Sequence, residues 1–483
     1  MSAVGQFGSV LGCAGLALLY VARRRHLRIV GLGGWALGLM LLSAYLAPDL
    51  SPVRLVAAAG AGLVVSAAGG WILLRYPYVL AFATLACVPA RIPVRLGDED
   101  ANLLLPLYVV VGSLAVALGW QLAVRRDDRD RELSAVAIPL AAFVAWIGLT
   151  LVWSVDLREG AIFVGAFILP FGLLALGFAR LPWRGRFITW LWAALVGTAL
   201  TYASIGVYQW ATRDVFWNPK VIVGNAYAPF FRVNSIFWDP SIYGRYLTIG
   251  ILTALAGVLL GGVRGWKLGG LYAVIAAMWV GLFFSFSQSS FVALAIGVLV
   301  AALVVWGRVA VIVAASLAVV LALGVLAVPQ TRNRVEAKSR AGIDSITSDR
   351  ATLVGQGLRI AAANPVGGVG VGGFKRAYAD RTGLPGKRPK KAASHTTPVT
   401  VAAEAGLLGL VLFGWVCIAA LLGALRGLGR GFTSRVSFAV GLTLVAIIVH
   451  SFFYNALFED PTTWALLGLV GLAVSVPRKG GKA

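Results

Sequence analysis

The sequence predicts an all-α polytopic membrane protein, and three observations carry that prediction. The 483 residues are 59% hydrophobic and only 13% charged, with a mean hydropathy of +0.86, outside the range of a soluble domain of this length. Apolar runs of about 16 to 25 residues recur from end to end, each long enough to cross about 30 Å of hydrocarbon as a helix. Strand-like alternation is missing, which argues against a transmembrane β-barrel.

Taken in order, the spans fall at about 6–22, 29–47, 54–74, 76–90, 102–124, 134–153, 161–179, 187–211, 241–263, 268–287, 289–306, 309–328, 398–425, 436–457 and 463–477. With short runs allowed to merge or re-enter, this gives about 12 to 15 helices. The first run leads into "RRRHLR" (Arg23 to Arg28) and has no basic n-region or small-residue cleavage site, so it reads as a true span. Cys13, Cys87 and Cys417 all lie within apolar runs and not in loops, so they carry no information about a disulfide framework.

The net charge of +23 would suggest nucleic acid in a soluble chain, but here much of it belongs to short loops that orient helices. If the spans alternate, Arg23 to Arg28, Arg125 to Arg131, Arg180 to Arg186, Arg264 with Lys267, Arg308, Arg426 to Arg435 and Arg478 to Lys482 share one side. The positive-inside tendency makes that side cytoplasmic. "LAPDLSP", "RLGDEDAN", "SVDLREG", 212–240, 329–397 and "FEDPTT" then face outward. The chain divides into N-terminal spans (1–211), a first outward segment with the helices after it (212–328), a large outward loop (329–397) and C-terminal spans (398–483).

The loop 329–397 has the length at which function is the default expectation. It holds 13 Lys or Arg against 4 Asp or Glu. A soluble basic loop is the plain explanation, since long loops escape the orientation rule; attraction of a phosphate or pyrophosphate is the functional one. Within it "DSITSDRATLVGQGLRIAAANP" has caps, helical spacing and a closing Asn-Pro, which predicts one amphipathic helix carrying Arg350 and Arg359. The glycine-rich "NPVGGVGVGGFKRAY" reads as a tight turn. Its Gly-x-Gly spacings follow no strand, so a dinucleotide site is rejected. "RTGLPGKRPKK" then supplies Lys387, Arg388, Lys390 and Lys391.

His395 lies just before Pro398, a favoured first residue of a helix. A helix N-terminus disfavours the imidazolium and leaves a ring able to accept a proton near neutral pH; a loop-bonded interfacial histidine is the alternative. His26 and His450 lack comparable sequence neighbours. Glu404 lies about two turns into the same helix, where a carboxylate needs a partner; an outward-loop arginine is the natural candidate. It fits either a structural ion pair or a role in orienting the histidine or the acceptor. Gly406 and Gly409 have the spacing of a close helix contact. Arg232 and Arg245 flank "VNSIFWDPSIYG", and Arg245, at the start of a span, requires an anion: a lipid headgroup or a bound pyrophosphate. The one Asp-x-Asp spacing on the outward loops is "DED" (Asp98 to Asp100), which reads as a capping or solvated run, and no His/Cys cluster occurs there. No cofactor or metal is therefore expected.

The motifs "RVNSIFWDPSIYGRYL", "FSFSQSSFVALAIG", "NPVGGVGVGGFKRAY" and "SHTTPVTVAAEAGLLGL" together resemble the O-antigen ligase and polymerase superfamily. They span about residues 230 to 412. The resemblance implies a C-type glycosyltransferase (GT-C) architecture and a multi-pass enzyme of the bacterial cytoplasmic membrane. It implies transfer of a glycan from a polyprenyl-pyrophosphate carrier to a glycolipid or glycan acceptor on the outer side, with membrane lipids as partners and no nucleic acid. It places the family's histidine on His395, the spaced glycines on Gly406 and Gly409, the acid on Glu404 and the first outer arginine on Arg232. Catalysis would fall to His395, Glu404 and Arg232. The donor would be held by Arg245, Arg350, Arg359, Lys387, Arg388, Lys390, Lys391 and Gln288. Thr396 stands where Asn, Ser or Gln is usual, Leu410 where Ser or Thr is usual, and Gln288 where a second arginine is usual, so Arg245 is the candidate replacement. Ligase and polymerase both fit the resemblance, and a lipid-linked glycan flippase is the rival from another class.

Overall fold

The computed structural model describes residues 2–47, 52–96, 99–124, 132–182, 185–227, 230–261, 263–313, 316, 350–383, 394–426 and 432–475. Among these, eleven helices are long and apolar enough to cross a membrane, with Gly60–Arg75 and Pro461–Val470 as shorter apolar helices. The sheet among the described residues is one small hairpin, Ile92–Leu96 paired antiparallel with Glu99–Leu103. The protein is an all-α polytopic membrane protein. Large apolar side chains such as Leu63, Val64, Trp71 and Trp190 remain exposed on helix surfaces, as expected where the solvent is lipid. The expected span at 76–90 is cut to Val79–Cys87 between Pro77 and Pro89, residues that end helices. Most of the expected span at 309–328 lies outside the described residues, as do Lys387, Arg388, Lys390 and Lys391.

Leu157–Ala179 is the most enclosed of the spans, 83% of its apolar window being buried. Asp156 caps it by accepting the Glu159 backbone N–H at 3.3 Å, which satisfies one of the orphan donors of the first turn. The helix widens to a π turn at Val164–Ile168, immediately before Pro170. Proline has no N–H to return to residue 166, and the wider turn absorbs that missing bond.

The connecting loops gather at two ends of this helix. At the Arg180 end, Glu132 accepts from Arg28 at 2.7 Å and from Arg180 at 2.6 Å. At the Asp156 end, Ser154 Oγ donates to the Val371 carbonyl at 2.8 Å, and Arg91 meets Glu459 at 3.4 Å. Arg28, Glu132 and Arg180 thus meet at one end of this helix, and the segments carrying Ser154 and Val371 meet at the other.

The helix Thr397–Arg426 is broken at Gly406, with φ 69° and ψ −171°. The glycine-rich turn fills the break. Val369 N–H donates to the Ala403 carbonyl at 2.9 Å, Gly370 N–H to the Glu404 carbonyl at 2.9 Å, and Leu407 N–H to the Pro365 carbonyl at 2.7 Å. A broken membrane helix exposes polar backbone that must find partners, and this turn supplies them. Gly406 therefore does more than permit close packing: its positive φ makes the break, and an added Cβ would collide with the Val366 carbonyl.

Candidate functional site

His395 sits in a short turn ahead of the half-helix that begins at Thr397. Ser394 Oγ accepts from Thr396 N–H at 3.2 Å and donates to the Thr396 carbonyl at 2.7 Å, closing the turn. Ser394, Thr396 and Thr397 are buried, while His395 is partly exposed and held at φ 55°. A left-handed backbone is uncommon outside glycine and clusters at sites where surrounding structure enforces it. Its imidazole is held below the usual histidine range, first by burial and then by the Arg350 guanidinium, while Asp239 pulls the other way. Burial and Arg350, more than the helix terminus expected from the sequence, thus disfavour the imidazolium.

Arg232 belongs to the same cluster. Its backbone exchanges two hydrogen bonds of 2.9 Å with the Asn225 side chain, and its Nε donates to the Ser285 carbonyl at 3.1 Å. Ser285 ends the helix Trp266–Ser285, and Phe286 turns left-handed, φ 47°, before the next helix starts at Gln288. Burial lowers the Arg232 pKa, Asp239 opposes, and Arg350 and Tyr454 act in opposite senses. Arg232, Arg350, Asp239, Tyr454 and His395 thus form one electrostatic neighbourhood. Arg350 starts the helix Arg350–Ala363, which buries Leu353, Gly357 and Ile360 at helical spacing. Arg359 is on its exposed face, and Gln288 is exposed at its helix start.

Arg245 is only 2% exposed and pairs with Asp460 at 2.8 Å. A protein carboxylate thus meets the charge for which the sequence suggested a lipid headgroup or a pyrophosphate. Asp460 also caps the helix Pro461–Ser475, accepting Thr462 N–H at 2.8 Å. His450 is not isolated either: buried, it meets Ser289 Oγ through Nε2 at 3.0 Å and stands near Arg245. Sequence separation hid this neighbourhood.

Glu404 has no arginine partner among the described residues. Its carboxylate accepts from the Phe374 backbone N–H at 3.1 Å, with Gly372 N–H also bonded and Lys375 and Glu159 nearby. Phe374 begins the helix Phe374–Arg381, so the carboxylate ties the glycine turn to the half-helix carrying His395. A carboxylate suits such N–H donors because charge strengthens each bond.

Asp239 and Tyr454 went unassigned in the sequence. Asp239 had a readable signal: it precedes Pro240 and caps the helix Pro240–Leu260 through Ser241 N–H at 2.6 Å, an Asp-Pro start that also occurs at Asp460. Tyr454 is brought in only by tertiary packing. Three of the five non-glycine residues with left-handed φ among those described, Ser235, Phe286 and His395, belong to the segments that build the cluster. The Arg350 guanidinium near the His395 imidazole, with Arg232 sharing Arg350 and Asp239 as neighbours, can hold a phosphorylated group and accept a proton in one region. No three His, Cys, Asp or Glu side chains among the described residues group as metal ligands.

Residues 272–414 match the family model described as O-antigen ligase. That stretch contains the helix break at Phe286, the amphipathic helix, the glycine turn, His395 and Gly406. No curated protein matches the chain. Over this stretch, which holds His395, Arg350 and the glycine turn while Arg232, Asp239 and Tyr454 lie outside it, the chain is similar to the O-antigen ligase family.

Proposed function

We propose that this protein transfers a glycan from a polyprenyl-pyrophosphate carrier to an acceptor hydroxyl at the outer face of the bacterial cytoplasmic membrane, with inversion and without a metal. The reading is supported by Arg350 and Asp239, which neighbour both His395 and Arg232. His395 takes the proton from the acceptor hydroxyl as its oxygen bonds to the anomeric carbon. The bond from that carbon to the pyrophosphate oxygen breaks, and polyprenyl pyrophosphate leaves with its charge met by Arg232 and Arg350. Pyrophosphate is a good leaving group once neutralised, so positioning and electrostatics provide most of the acceleration.

Glu404 acts here as a positioning residue that fixes the turn and half-helix behind His395. A cavity of about 320 Å³ lined by Leu85, Trp192, Ile249, Leu466 and other apolar residues offers the carrier's hydrocarbon chain a berth. Within the superfamily we favour single transfer, as in a ligase; a polymerase would use the same groups on a lipid-linked acceptor. The test uses purified protein in detergent, a donor labelled in its glycan, and chelator present. The reading expects a new glycosidic bond; a label that crosses sealed vesicles but forms no bond in detergent contradicts it and identifies a flippase. One product size marks a ligase, a ladder a polymerase.

A further inference from the structure

Thr397, two residues from His395, also lines a second cavity of about 230 Å³. The cavity is walled by Glu159, Lys375, Glu404, Asn455 and Glu459 over an aromatic floor that includes Phe458. It adjoins the His395 cluster through packing of Thr397, whose hydroxyl donates to the Tyr454 carbonyl at 3.5 Å; Tyr454 itself neighbours both Asp239 and Glu459. The three carboxylates are held in place, Glu159 by Lys375, Glu404 by Phe374 N–H and Glu459 by Arg91, whose NH2 also donates to the Glu459 carbonyl at 2.8 Å.

Charge divides the two neighbouring sites. The His395 cluster presents guanidiniums, whereas this cavity is lined by three carboxyl groups and one ammonium; Lys375 pairs with Glu159 and Arg91 with Glu459, which leaves Glu404 to tip the balance negative and no unpaired cation among the lining residues for a pyrophosphate. Ionised carboxylates only accept hydrogen bonds, so an occupant must bring donors. A polyhydroxylated ring brings several, and its C–H face suits an aromatic floor, while Asn455 can both donate and accept. The volume is at the small end for ligand pockets, which limits the occupant to a terminal segment of a larger molecule.

We propose that this cavity is the acceptor subsite, taking the terminal sugars of a neutral or amino-sugar glycan and disfavouring uronic acids. The assignment of acceptor rests on the glycosyl-transfer reading above. Its test is ligand binding to full-length protein in detergent at pH 7, using glucosamine disaccharide, N-acetylglucosamine disaccharide and a glucuronate-containing disaccharide as probes. The glucosamine disaccharide should bind about tenfold more tightly than the glucuronate one, the scale of one charge-assisted contact. Glu159→Gln should shrink that ratio and raise KM for the acceptor while leaving KM for the donor unchanged. Glu459→Gln gives an independent check should the first variant fold poorly. Absence of binding to the wild type, or equal binding of the cationic and acidic probes, overturns the subsite. Selective binding without any transfer supports a sugar site and overturns the transfer reading; transfer without selectivity overturns the subsite alone.

Discussion

Arg245 and Asp460 give the sharpest test of how charge is arranged in this bundle. Arg245 is 2% exposed and Asp460 4%, with nitrogen and oxygen 2.8 Å apart. Removing one member of such a buried pair strands the other charge, at a cost of about 3–5 kcal/mol. Asp460 also caps a helix, and losing a cap costs about 1 kcal/mol more. Asp460→Ala should therefore destabilise by roughly 4–6 kcal/mol. Asp460→Ser keeps a capping oxygen and should cost about 3–5 kcal/mol. Adding Arg245→Met to Asp460→Ser removes the stranded charge, and replacing both members of a buried pair is often near neutral. Unfolding midpoints in detergent, followed by intrinsic fluorescence, should thus fall in the single variant and recover in the double. KM for the donor should stay near wild type in the folded double variant, because Arg245 is engaged by protein. An unchanged midpoint in Asp460→Ser, or loss of donor binding in a folded double variant, would refute this account.

The remaining predictions concern the catalytic group, the glycine turn and the amphipathic helix. With His395 acting as the neutral base, kcat/KM should fall as pH drops through its pKa, and that midpoint should lie below 6.5; Arg350→Gln should move it up, and Asp239→Asn down, in a pH–rate profile. Gly370 has φ +86° and packs on the Ser154 backbone, whereas Gly383 has φ +70° with open space around it. Left-handed strain alone costs a substituted residue about 1–2 kcal/mol, so Gly383→Ala should lower the unfolding midpoint modestly and Gly370→Ala markedly more. Arg359→Ala should leave KM for the donor within about twofold, the scale of a surface charge, while Arg350→Ala should raise it strongly.

Much of the architecture was legible because a bilayer demands long apolar helices, and the amphipathic helix at Arg350–Ala363 was readable from the spacing of Leu353, Gly357 and Ile360. His395, Arg232 and Arg350 were identifiable as residue types that need a reason to sit in outward loops. Their meeting was not, since it depends on how the turn at Ser285–Gln288 docks against the 232–239 segment. Glu404 and Arg245 show why a charge's partner is harder to infer than its need for one. Glu404 found backbone N–H groups, which every segment carries and no sequence marks, and Arg245 found a helix cap more than two hundred residues away. The glycine turn was legible as a turn but not as a plug, because the break it fills arises at Gly406, in another helix whose composition continues uninterrupted.

The most direct test of the central claim is release of polyprenyl pyrophosphate by purified protein in detergent, given a lipid-linked oligosaccharide pool, for wild type and His395→Ala. General-base help is worth about 10²- to 10⁴-fold, so the variant should bind donor normally and lose turnover on that scale, with and without chelator. Equal release by both proteins would contradict the account and move the base away from His395.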